Sequence, residues 1–292
     1  MRKITLLSIF GILTLFAGSV AGEPRETCGC DVAKELVATY DQALLDVNTR
    51  DVIKRHAPWG VPVDLTFDAG TRVLYQRHWM TGYDPDLRMP VWVAYRLRAE
   101  DLTQPRRRTQ CFRSDDRLSI GKRKTRCATY RGSGFDRGHL VPSADMTRSE
   151  PAMVNSYVFS NIAPQYPKFN RGIWRKLETH VRDLARTHGS VFVMSGAIFD
   201  QDNDGVRDAD AEAPRARSRQ GAPRAAIASH FYKIIVIAED GRSQIDAWLL
   251  PHSNDPATTL KQAKVSLAKI EKLSGLDIFP HMLGEVADAY PR

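Results

Sequence analysis

The sequence predicts a protein of the α+β class, and two observations lead to this prediction. Short β-rich runs and amphipathic helical stretches are mixed along the chain. They do not follow the regular βα alternation that a doubly wound sheet requires. The 292 residues contain no repeats and no long linker, which favours one main domain.

The first predicted element after the N-terminus is a helix, because apolar residues recur at three- and four-residue steps over residues 33–47. A Pro/Gly-rich break follows at residues 56–62. Residues 71–77 and 91–97 alternate or are β-rich, and residues 82–85 have the composition of a turn. The two runs are therefore predicted to form a hairpin.

The rest of the chain adds a polar loop, a helix with an apolar stripe, further strands and a last helix that Ser274-Gly275 ends. The predicted bounds are 157–162 for a short β-rich run, 161–170 for the polar loop, 191–194, 231–238 and 245–250 for buried strands, and 259–273 for the last helix.

Composition restricts the class of protein without identifying it. Hydrophobic residues at 42% and charged residues at 26% exclude a disordered or fibrous chain. Four cysteines are too few for a scaffold built on disulfides. The net charge of +8 favours a polyanionic partner. Much of the positive charge lies within residues 96–137, a run that by itself is also typical of a solvated surface.

The first 22 residues have the pattern of a secretory signal peptide. Residues 1–3 are basic, residues 4–17 are nearly all apolar, and residues 18–22 are small. An uncleaved anchor is the alternative, but the stretch is short for a transmembrane helix. We therefore expect an exported protein, periplasmic or extracellular, with no membrane partner after cleavage. Residues 23–55 then form an N-terminal helical segment, and the oligomeric state stays open.

Export places the four cysteines in an oxidising compartment, where three pairings are possible. Cys111 and Cys127 bracket a basic loop, and we expect a disulfide between them. Cys28 and Cys30 are too close for an easy mutual bridge, so their state stays open. A zinc site is the other interpretation, but no second close cysteine or histidine pair accompanies them.

A magnesium site is predicted where the polar loop meets its helix. Asn170, Trp174 and Glu178 are spaced in steps of four, so Asn170 and Glu178 lie near one face of a helix, away from the apolar stripe. An amide oxygen and a carboxylate are hard ligands that suit Mg²⁺, which keeps several waters and needs few protein groups. The alternative is a capping asparagine with an exposed glutamate.

A second candidate site is the tetrapeptide Asp136-Arg137-Gly138-His139. A histidine with a near-neutral pKa can deprotonate a water nucleophile. The adjacent arginine can hold a phosphate through charge-assisted hydrogen bonds, and the glycine lets the backbone approach a ligand closely. A core histidine that caps a turn is the alternative interpretation.

The combination of motifs is more specific than its parts. In order, the chain contains Asp136-Arg137-Gly138-His139-Leu140-x-Pro142, Ser160-Asn161-Ile162-Ala163-Pro164-Gln165 and Phe169-Asn170-Arg171-Gly172-x-Trp174-x-x-Leu177-Glu178. This order and spacing resembles the DNA/RNA non-specific endonucleases, sugar-non-specific nucleases with a ββα-metal site, a family that includes endonuclease G. The resemblance spans about Trp59 to Pro280. It implies a central antiparallel β-sheet flanked by helices, in a nuclease domain over residues 56–292.

The resemblance also implies residue roles. His139 matches the general base, Asn170 the direct ligand of Mg²⁺, for which Mn²⁺ can substitute, and Glu178 a carboxylate that holds metal-bound water. Three further matches form the polar shell around the metal and the phosphate: Arg137, Asn161 and Gln165. An upstream arginine is expected to contact the scissile phosphate. Its candidates are Arg106, Arg107 and Arg108, of which Arg108 is the nearest match.

The implied reaction is metal-dependent hydrolysis of phosphodiester bonds that leaves 5′-phosphate and 3′-hydroxyl ends. No 2′-hydroxyl participates, so both DNA and RNA are expected substrates. The basic run then contacts phosphates without reading bases, which gives salt-sensitive, sequence-tolerant binding.

A separate acidic segment, residues 200–208, resembles the start of an EF-hand calcium loop. Asp200, Asp202, Asp204 and Asp208 occupy positions 1, 3, 5 and 9, with glycine at position 6. Position 12 is not acidic, and no helix pair flanks the segment. A structural Ca²⁺ site and a solvated acidic loop both stay open.

Two competing functions are weaker. A catalytically inactive nucleic-acid-binding protein of the same fold predicts loss of His139 or Asn170, and both are present. A serine hydrolase that uses Ser133 lacks the Gly-x-Ser-x-Gly elbow, and its triad would fall within seven residues.

Overall fold

The computed structural model describes residues 27–66, 70–104, 106–118, 125–217, 224–255, 257–282 and 286–288. The expected signal peptide, residues 1–22, lies outside the described residues, as do residues 122–124 of the basic run. No helix among the residues that the structure describes is both long and apolar enough to cross a membrane.

The strands of the described chain are β1 (Thr27–Cys28), β2 (Val63–Asp64), β3 (Arg72–Tyr75), β4 (Met80–Asp84), β5 (Met89–Arg98), β6 (Phe112–Arg113), β7 (Asp136–His139), β8 (Ile162–Gln165), β9 (Ser190–Ile198), β10 (His230–Glu239), β11 (Arg242–Pro251), β12 (Lys264–Val265), β13 (Leu276–Asp277) and β14 (Val286–Asp288). The helices are α1 (Lys34–Leu45), α2 (Thr49–His56), α3 (Cys127–Tyr130), α4 (Glu150–Asn155), α5 (Pro167–Phe169), α6 (Arg175–Thr187) and α7 (Leu267–Ser274).

A large β-sheet forms the centre of the fold, with the strand order β12-β11-β10-β9-β5-β4-β3. All neighbours along this path are antiparallel, and β14 adds a parallel pairing to β11. The small pairs β1–β6, β2–β13 and β7–β8 lie outside this sheet. The predicted α+β class with a central antiparallel sheet is therefore confirmed.

Helices cover both faces of this sheet. Along β10, Phe231 and Ile235 pack with Leu177 of α6 on one face. Ile234 points to the other face, where it packs in one cluster with Ile270 of α7. Because both faces are buried, the central strands appear in the sequence as continuous apolar runs instead of alternating patterns.

The prediction of a hairpin is wrong, because the segment predicted to be its turn is part of a strand. Residues 82–84 belong to strand β4, which lies between β3 and β5, so the two predicted strands are not neighbours. Gly82 allows close packing, since a Cβ atom there would lie 2.2 Å from Nε1 of Trp92. Composition does not distinguish a glycine required by close packing from a glycine required by a turn.

The last helix begins later than predicted. It starts at Leu267, because the Ser266 side chain caps it by accepting a hydrogen bond from the Lys269 amide at 3.3 Å. Gly275 ends it with a φ of 70°, a conformation that favours glycine. The predicted stop at Ser274-Gly275 is confirmed.

The predicted Cys111–Cys127 disulfide is also wrong. The structure contains the disulfides Cys28–Cys127 and Cys30–Cys111. The N-terminal segment returns to the basic loop, where β1 pairs antiparallel with β6. Each of its two cysteines therefore reaches a cysteine far away in the sequence, a pairing that spacing along the chain does not show.

Candidate active site

A two-stranded antiparallel ribbon and the helix that follows it carry the candidate catalytic residues. β7 pairs with β8, so the predicted polar loop 161–170 contains a strand. Gly138 permits this pairing, because a Cβ atom there would lie 2.2 Å from Oε1 of Gln165. The chain then passes through Asn170–Trp174, with a kink at Gly172, into α6. Asn170 therefore lies before this kink, and the prediction that Asn170 and Glu178 share one face of a continuous helix is wrong.

An open pocket of about 420 Å³ lies over the ribbon and the start of α6. It is lined by Arg108, Gln110, Phe112, Asp136, Arg137, His139, Pro142, Ser143, Tyr157, Asn170, Arg171, Arg175 and Glu178. The five residues that the sequence predicts to be catalytic or to bind metal therefore meet in one place: Arg108, Arg137, His139, Asn170 and Glu178.

The His139 imidazole is held in a defined orientation. Trp174 Nε1 donates a hydrogen bond to the His139 carbonyl at 3.2 Å. The imidazole packs edge-on against Tyr157, with ring centres 4.8 Å apart, and is tilted against Phe112, with ring centres 5.6 Å apart. Nε2 is buried without a hydrogen-bond partner among the described residues, which leaves Nδ1 as the ring nitrogen available to the pocket. Burial and then the charges of Arg108 and Arg137 lower the pKa of His139 to about 3, so the ring is neutral at pH 7.

Asp136 fixes the orientation of Asn170. Its Oδ2 accepts hydrogen bonds from Asn170 Nδ2 at 3.0 Å and from Arg171 Nε at 2.8 Å. Burial alone would raise the pKa of Asp136, but the bonds from Arg171 and Asn170 lower it, so the carboxylate is charged. Because the Asn170 amide nitrogen is used in this way, its Oδ1 is the atom left to receive a cation.

Glu178 lies one helical turn into α6, next to a buried charge cluster. Burial raises its pKa to about 7, and Asp145 adds to the rise, while Lys233 and Arg182 oppose it. Asp145 accepts hydrogen bonds from Tyr95 Oη at 2.7 Å and from Arg182 at 2.9 Å. Of this cluster, only Glu178 lines the pocket.

The arginines of the predicted set occupy different places. The Arg137 guanidinium lies 4.1 Å from the centre of the Phe112 ring, and burial lowers its pKa. Arg108 lines the pocket. Arg106 donates to the Thr147 carbonyl at 3.0 Å, and Arg107 is 92% exposed, 3.7 Å from Asp31. Neither of these two lines the pocket.

Asn161 and Gln165 are buried below the pocket and do not line it. Asn161 donates to the carbonyls of Val141 and Ser156 and accepts from the Val141 amide at 2.8 Å. It therefore holds the chain that follows β7. Both polar atoms of the Gln165 amide are buried without a partner among the described residues.

Several residues of the site were missed by sequence reasoning. Asp136 was part of a motif, but its role as the partner of Asn170 and Arg171 needs the ribbon geometry. Phe112 and Tyr157, which pack on the His139 ring, gave no signal, because an aromatic residue in a basic run or a β-rich run is ordinary.

The ribbon, the helix after it and their histidine and asparagine define the class of the ββα-metal nucleases. The sequence model of the family described as DNA/RNA non-specific endonuclease matches residues 62–283. The chain belongs to this family, and the resemblance seen in its motifs is confirmed.

Characterised relatives are nucleases. The chain is 35% identical to mitochondrial endonuclease G of Bos taurus, over 69% of this chain and 67% of the relative. It is 31% identical to the mitochondrial nuclease EXOG of Xenopus laevis, over 91% and 72% of the two chains. It is 32% identical to nuclease C1 of Cunninghamella echinulata, over 73% and 85%.

Together, the family and these relatives support a hydrolase of the endonuclease type that acts on nucleic acids with a divalent cation. Two of these three relatives are named as mitochondrial, so they do not support export. The two disulfides are compatible with export.

Proposed function

We propose that the chain is an exported, Mg²⁺-dependent endonuclease that hydrolyses DNA and RNA without sequence preference and leaves 5′-phosphate ends. The observation that carries this proposal is the content of one pocket: a neutral imidazole, a free amide oxygen and two guanidinium groups, from His139, Asn170, Arg108 and Arg137. Mn²⁺ is expected to replace Mg²⁺.

The donor atoms of the pocket suit a hard divalent cation. Oδ1 of Asn170 accepts no hydrogen bond from the described residues, and Asp136 holds the amide so that this oxygen is available. The Glu178 carboxylate lines the same pocket and would hold the cation through water. A bound cation stabilises negative charge on the phosphate and on the leaving oxygen.

His139 is placed to act as the general base, although burial in the protein without substrate holds its pKa below the near-neutral value expected from the sequence. Its ring is neutral at pH 7, and its buried Nε2 leaves Nδ1 to take a proton from water. The resulting hydroxide attacks phosphorus in line with the 3′ oxygen, which leaves, so the phosphate stays on the 5′ side. The packing of Tyr157 and Phe112 keeps the ring from turning away.

Arg108 and Arg137 are the residues that we propose to bind the scissile phosphate. A guanidinium group makes charge-assisted hydrogen bonds that strengthen as charge grows on the phosphate oxygens. Phe112 supports Arg137 from below, which lowers the entropy lost when the side chain binds. Buried Asn161 and Gln165 act as positioning residues under this surface.

This chemistry requires neither a base contact nor a 2′-hydroxyl. Phosphate contacts position a nucleic acid without reading its sequence. We therefore propose that DNA and RNA are both cut and that binding weakens as salt rises.

Export is proposed from two features of the chain. Residues 1–22 have the pattern of a signal peptide. The disulfides Cys28–Cys127 and Cys30–Cys111 join residues 23–55 to the nuclease domain, for which we propose residues 56–292. Mature protein in the periplasm or medium, starting near residue 23, is the expected result of N-terminal sequencing.

The test of the proposed function is a cleavage assay with mature protein. Plasmid DNA and an unstructured RNA are incubated in Mg²⁺ or in EDTA, and the product ends are labelled with and without prior phosphatase. We expect degradation of both substrates in Mg²⁺ only, with ends that accept a label only after phosphatase. Binding without cleavage would instead indicate the inactive nucleic-acid-binding protein, and full activity in EDTA would exclude the proposed metal dependence.

A further inference from the structure

A cavity of about 620 Å³ lies apart from the active-site pocket, and the two share no lining residue. It lies between α2, the turn from β3 to β4, strand β5 and the segment before α4. Its charged lining consists of arginines: Arg55, Arg77, Arg96, Arg98 and Arg148. No acidic side chain lines it.

The positive charge of this cavity is only partly balanced. Asp101 pairs with Arg98 at 3.0 Å and with Arg148 at 3.3 Å, and Glu100 pairs with Arg98. Arg55 and Arg77 are exposed and pair with no carboxylate among the described residues. Five guanidinium groups therefore face two carboxylates, and an anion in the cavity would balance the excess positive charge.

Donor groups in the wall are also left without partners. Gln76 is almost fully buried, and its Nε2 has no hydrogen-bond partner among the described residues. In the same described part of the chain, Arg148 has both Nε and Nη2 buried without a partner. Nδ1 of His78, a donor or an acceptor according to the tautomer of the ring, is also buried without a partner there. Buried donors without acceptors are rare in folded proteins, so a group of them in one wall points to a ligand rich in acceptors.

The wall is also rigid. His56 is buried, accepts a hydrogen bond from the Arg96 amide at Nδ1 and contacts the Arg77 carbonyl through Nε2, both at 3.1 Å. Burial lowers the pKa of His56 to about 4 and of His78 to about 3, so both rings are neutral at pH 7 and the arginines carry the charge.

We propose that this arginine cavity is a second binding site, separate from the active site, for a phosphate-bearing anion. Phosphate oxygens match both the planar guanidinium groups and the unpartnered donors. The volume exceeds that of a single phosphate and lies in the range of small-molecule pockets. A free nucleotide and a distant stretch of a nucleic-acid backbone offer the same phosphate chemistry.

The test compares Arg55→Ala/Arg77→Ala with Arg50→Ala/Lys54→Ala. Both double variants remove two positive charges, and all four side chains are exposed, but Arg50 and Lys54 do not line the cavity. Binding of inorganic phosphate, pyrophosphate and thymidine 5′-monophosphate is measured by calorimetry. Duplex DNA binding is measured over a range of salt in a His139→Ala background.

If the ligand is a free phosphate compound, the cavity variant binds one of the three probes at least about tenfold more weakly than the control, and DNA binding does not differ. If it is a nucleic-acid backbone, the slope of log K against log salt falls by about 0.9 for each lost contact in the cavity variant only. Equal behaviour of the two variants towards every probe would overturn the proposal. Neither result depends on whether the active site cleaves.

A second proposal rests on the acidic segment after β9. Carboxylate oxygens of Asp200, Asp202 and Asp204 lie within 4.8 Å of one another. Asp200 is only 4% exposed, and its Oδ1 is buried without a hydrogen-bond partner among the described residues. A buried carboxylate next to two others is costly unless a cation neutralises them.

We infer that residues 200–208 form a Ca²⁺ site. Its donors are oxygens only, and the loop supplies them at positions 1, 3, 5 and 9, a flexible oxygen set that suits Ca²⁺ better than Mg²⁺. Asp208 lies close by, since it accepts a hydrogen bond from the Gln201 amide at 2.8 Å. Because position 12 is Ala211, the loop lacks its bidentate glutamate, and weak binding is expected.

The test measures thermal unfolding of chelator-stripped protein with and without Ca²⁺. An Asn170→Ala background removes the proposed ligand at the active site. In this background, Ca²⁺ should raise the Tm by a few degrees. Asp204→Asn should abolish the shift, whereas Asp240→Asn, an exposed change in the β10–β11 turn, should keep it. No shift in the Asn170→Ala background, or a shift that persists in Asp204→Asn, would overturn the site.

Discussion

Arg108 differs from its neighbours because it alone of the three consecutive arginines lines the active-site pocket. We predict that Arg108→Ala lowers kcat/KM by about tenfold to a hundredfold, since a hydrogen bond to a charged group contributes about 1.5–3 kcal/mol. Arg107→Ala is the matched control and should be nearly neutral, because Arg107 is 92% exposed and points elsewhere. Steady-state kinetics on a short duplex measures both, and equal losses would contradict the assignment.

Asp136 is a positioning residue, and its removal should affect metal binding first. Asp136→Ala frees the Asn170 amide, which can then turn its oxygen away from the pocket. We predict a higher Mg²⁺ concentration at half-maximal rate, with partial recovery of the rate at saturating Mg²⁺. Asp183→Ala, an exposed change on α6, should leave the Mg²⁺ dependence unchanged. A lower rate with an unaltered Mg²⁺ dependence would show that Asp136 does not act through Asn170.

At the scale of single residues, the sequence predicts those site residues that belong to short sequence motifs. His139, Asn170 and Glu178 lie in short motifs, and the structure brings them to one pocket. The sequence does not separate Asn161, which is fully buried, from residues that line the pocket. Polarity alone does not show whether an amide faces a ligand or the backbone of its own chain.

At the scale of elements, the two disulfides anchor the N-terminal segment around strand β6, which carries Phe112. Cys30 bonds to Cys111, directly before β6, and Cys28 of β1, which pairs with β6, bonds to Cys127 of α3. Each closes a long loop, and the chain-entropy model gives about 4.5 kcal/mol for a loop of this length. We predict that Cys28→Ser/Cys127→Ser lowers the free energy of unfolding by several kcal/mol and also lowers activity, because β6 holds Phe112 against Arg137. Urea unfolding and cleavage assays measure these effects.

The pairing itself is checked by peptide mapping without reductant. A peptide that joins Cys28 to Cys127 is expected, whereas one that joins Cys111 to Cys127 would contradict the structure.

The sequence predicts long elements well and short ones poorly. Strands β9, β10 and β11 and the apolar stripe of α6 follow from strong periodic or apolar runs. Strand β4 and ribbon strand β8 were missed because each depends on a tertiary contact: Gly82 against Trp92, and Gly138 against Gln165. Local patterns do not contain these contacts.

The whole molecule should lose stability in mild acid. Burial lowers the pKa of five histidines: His56 and His252 to about 4, His78 and His139 to about 3, and His230 below its usual range. Between pH 6.5 and about 4, the unfolded chain binds protons that the folded chain does not. Each histidine therefore lowers the free energy of unfolding by about 1.4 kcal/mol for each pH unit by which the pH falls in this range.

Four carboxyl groups act in the opposite direction, because burial raises the pKa of Glu178 to about 7, of Asp84 to about 6, and of Asp145 and Glu271 above their usual range. The five histidines outweigh them, so we predict a lower free energy of unfolding at pH 5 than at pH 7.5 in urea titrations with EDTA. An equal or higher value at pH 5 would show that the histidines are not buried as neutral rings.

The central claim is that His139 performs the chemical step in a pocket that binds nucleic acid through other groups. Single-turnover cleavage of a labelled duplex by His139→Ala tests it most directly, with DNA affinity measured in parallel and His188→Ala, outside the pocket, as the control. The account predicts a rate lower by about 10² to 10⁴ with affinity retained in His139→Ala, and a normal rate in His188→Ala. Near-normal cleavage by His139→Ala would contradict it.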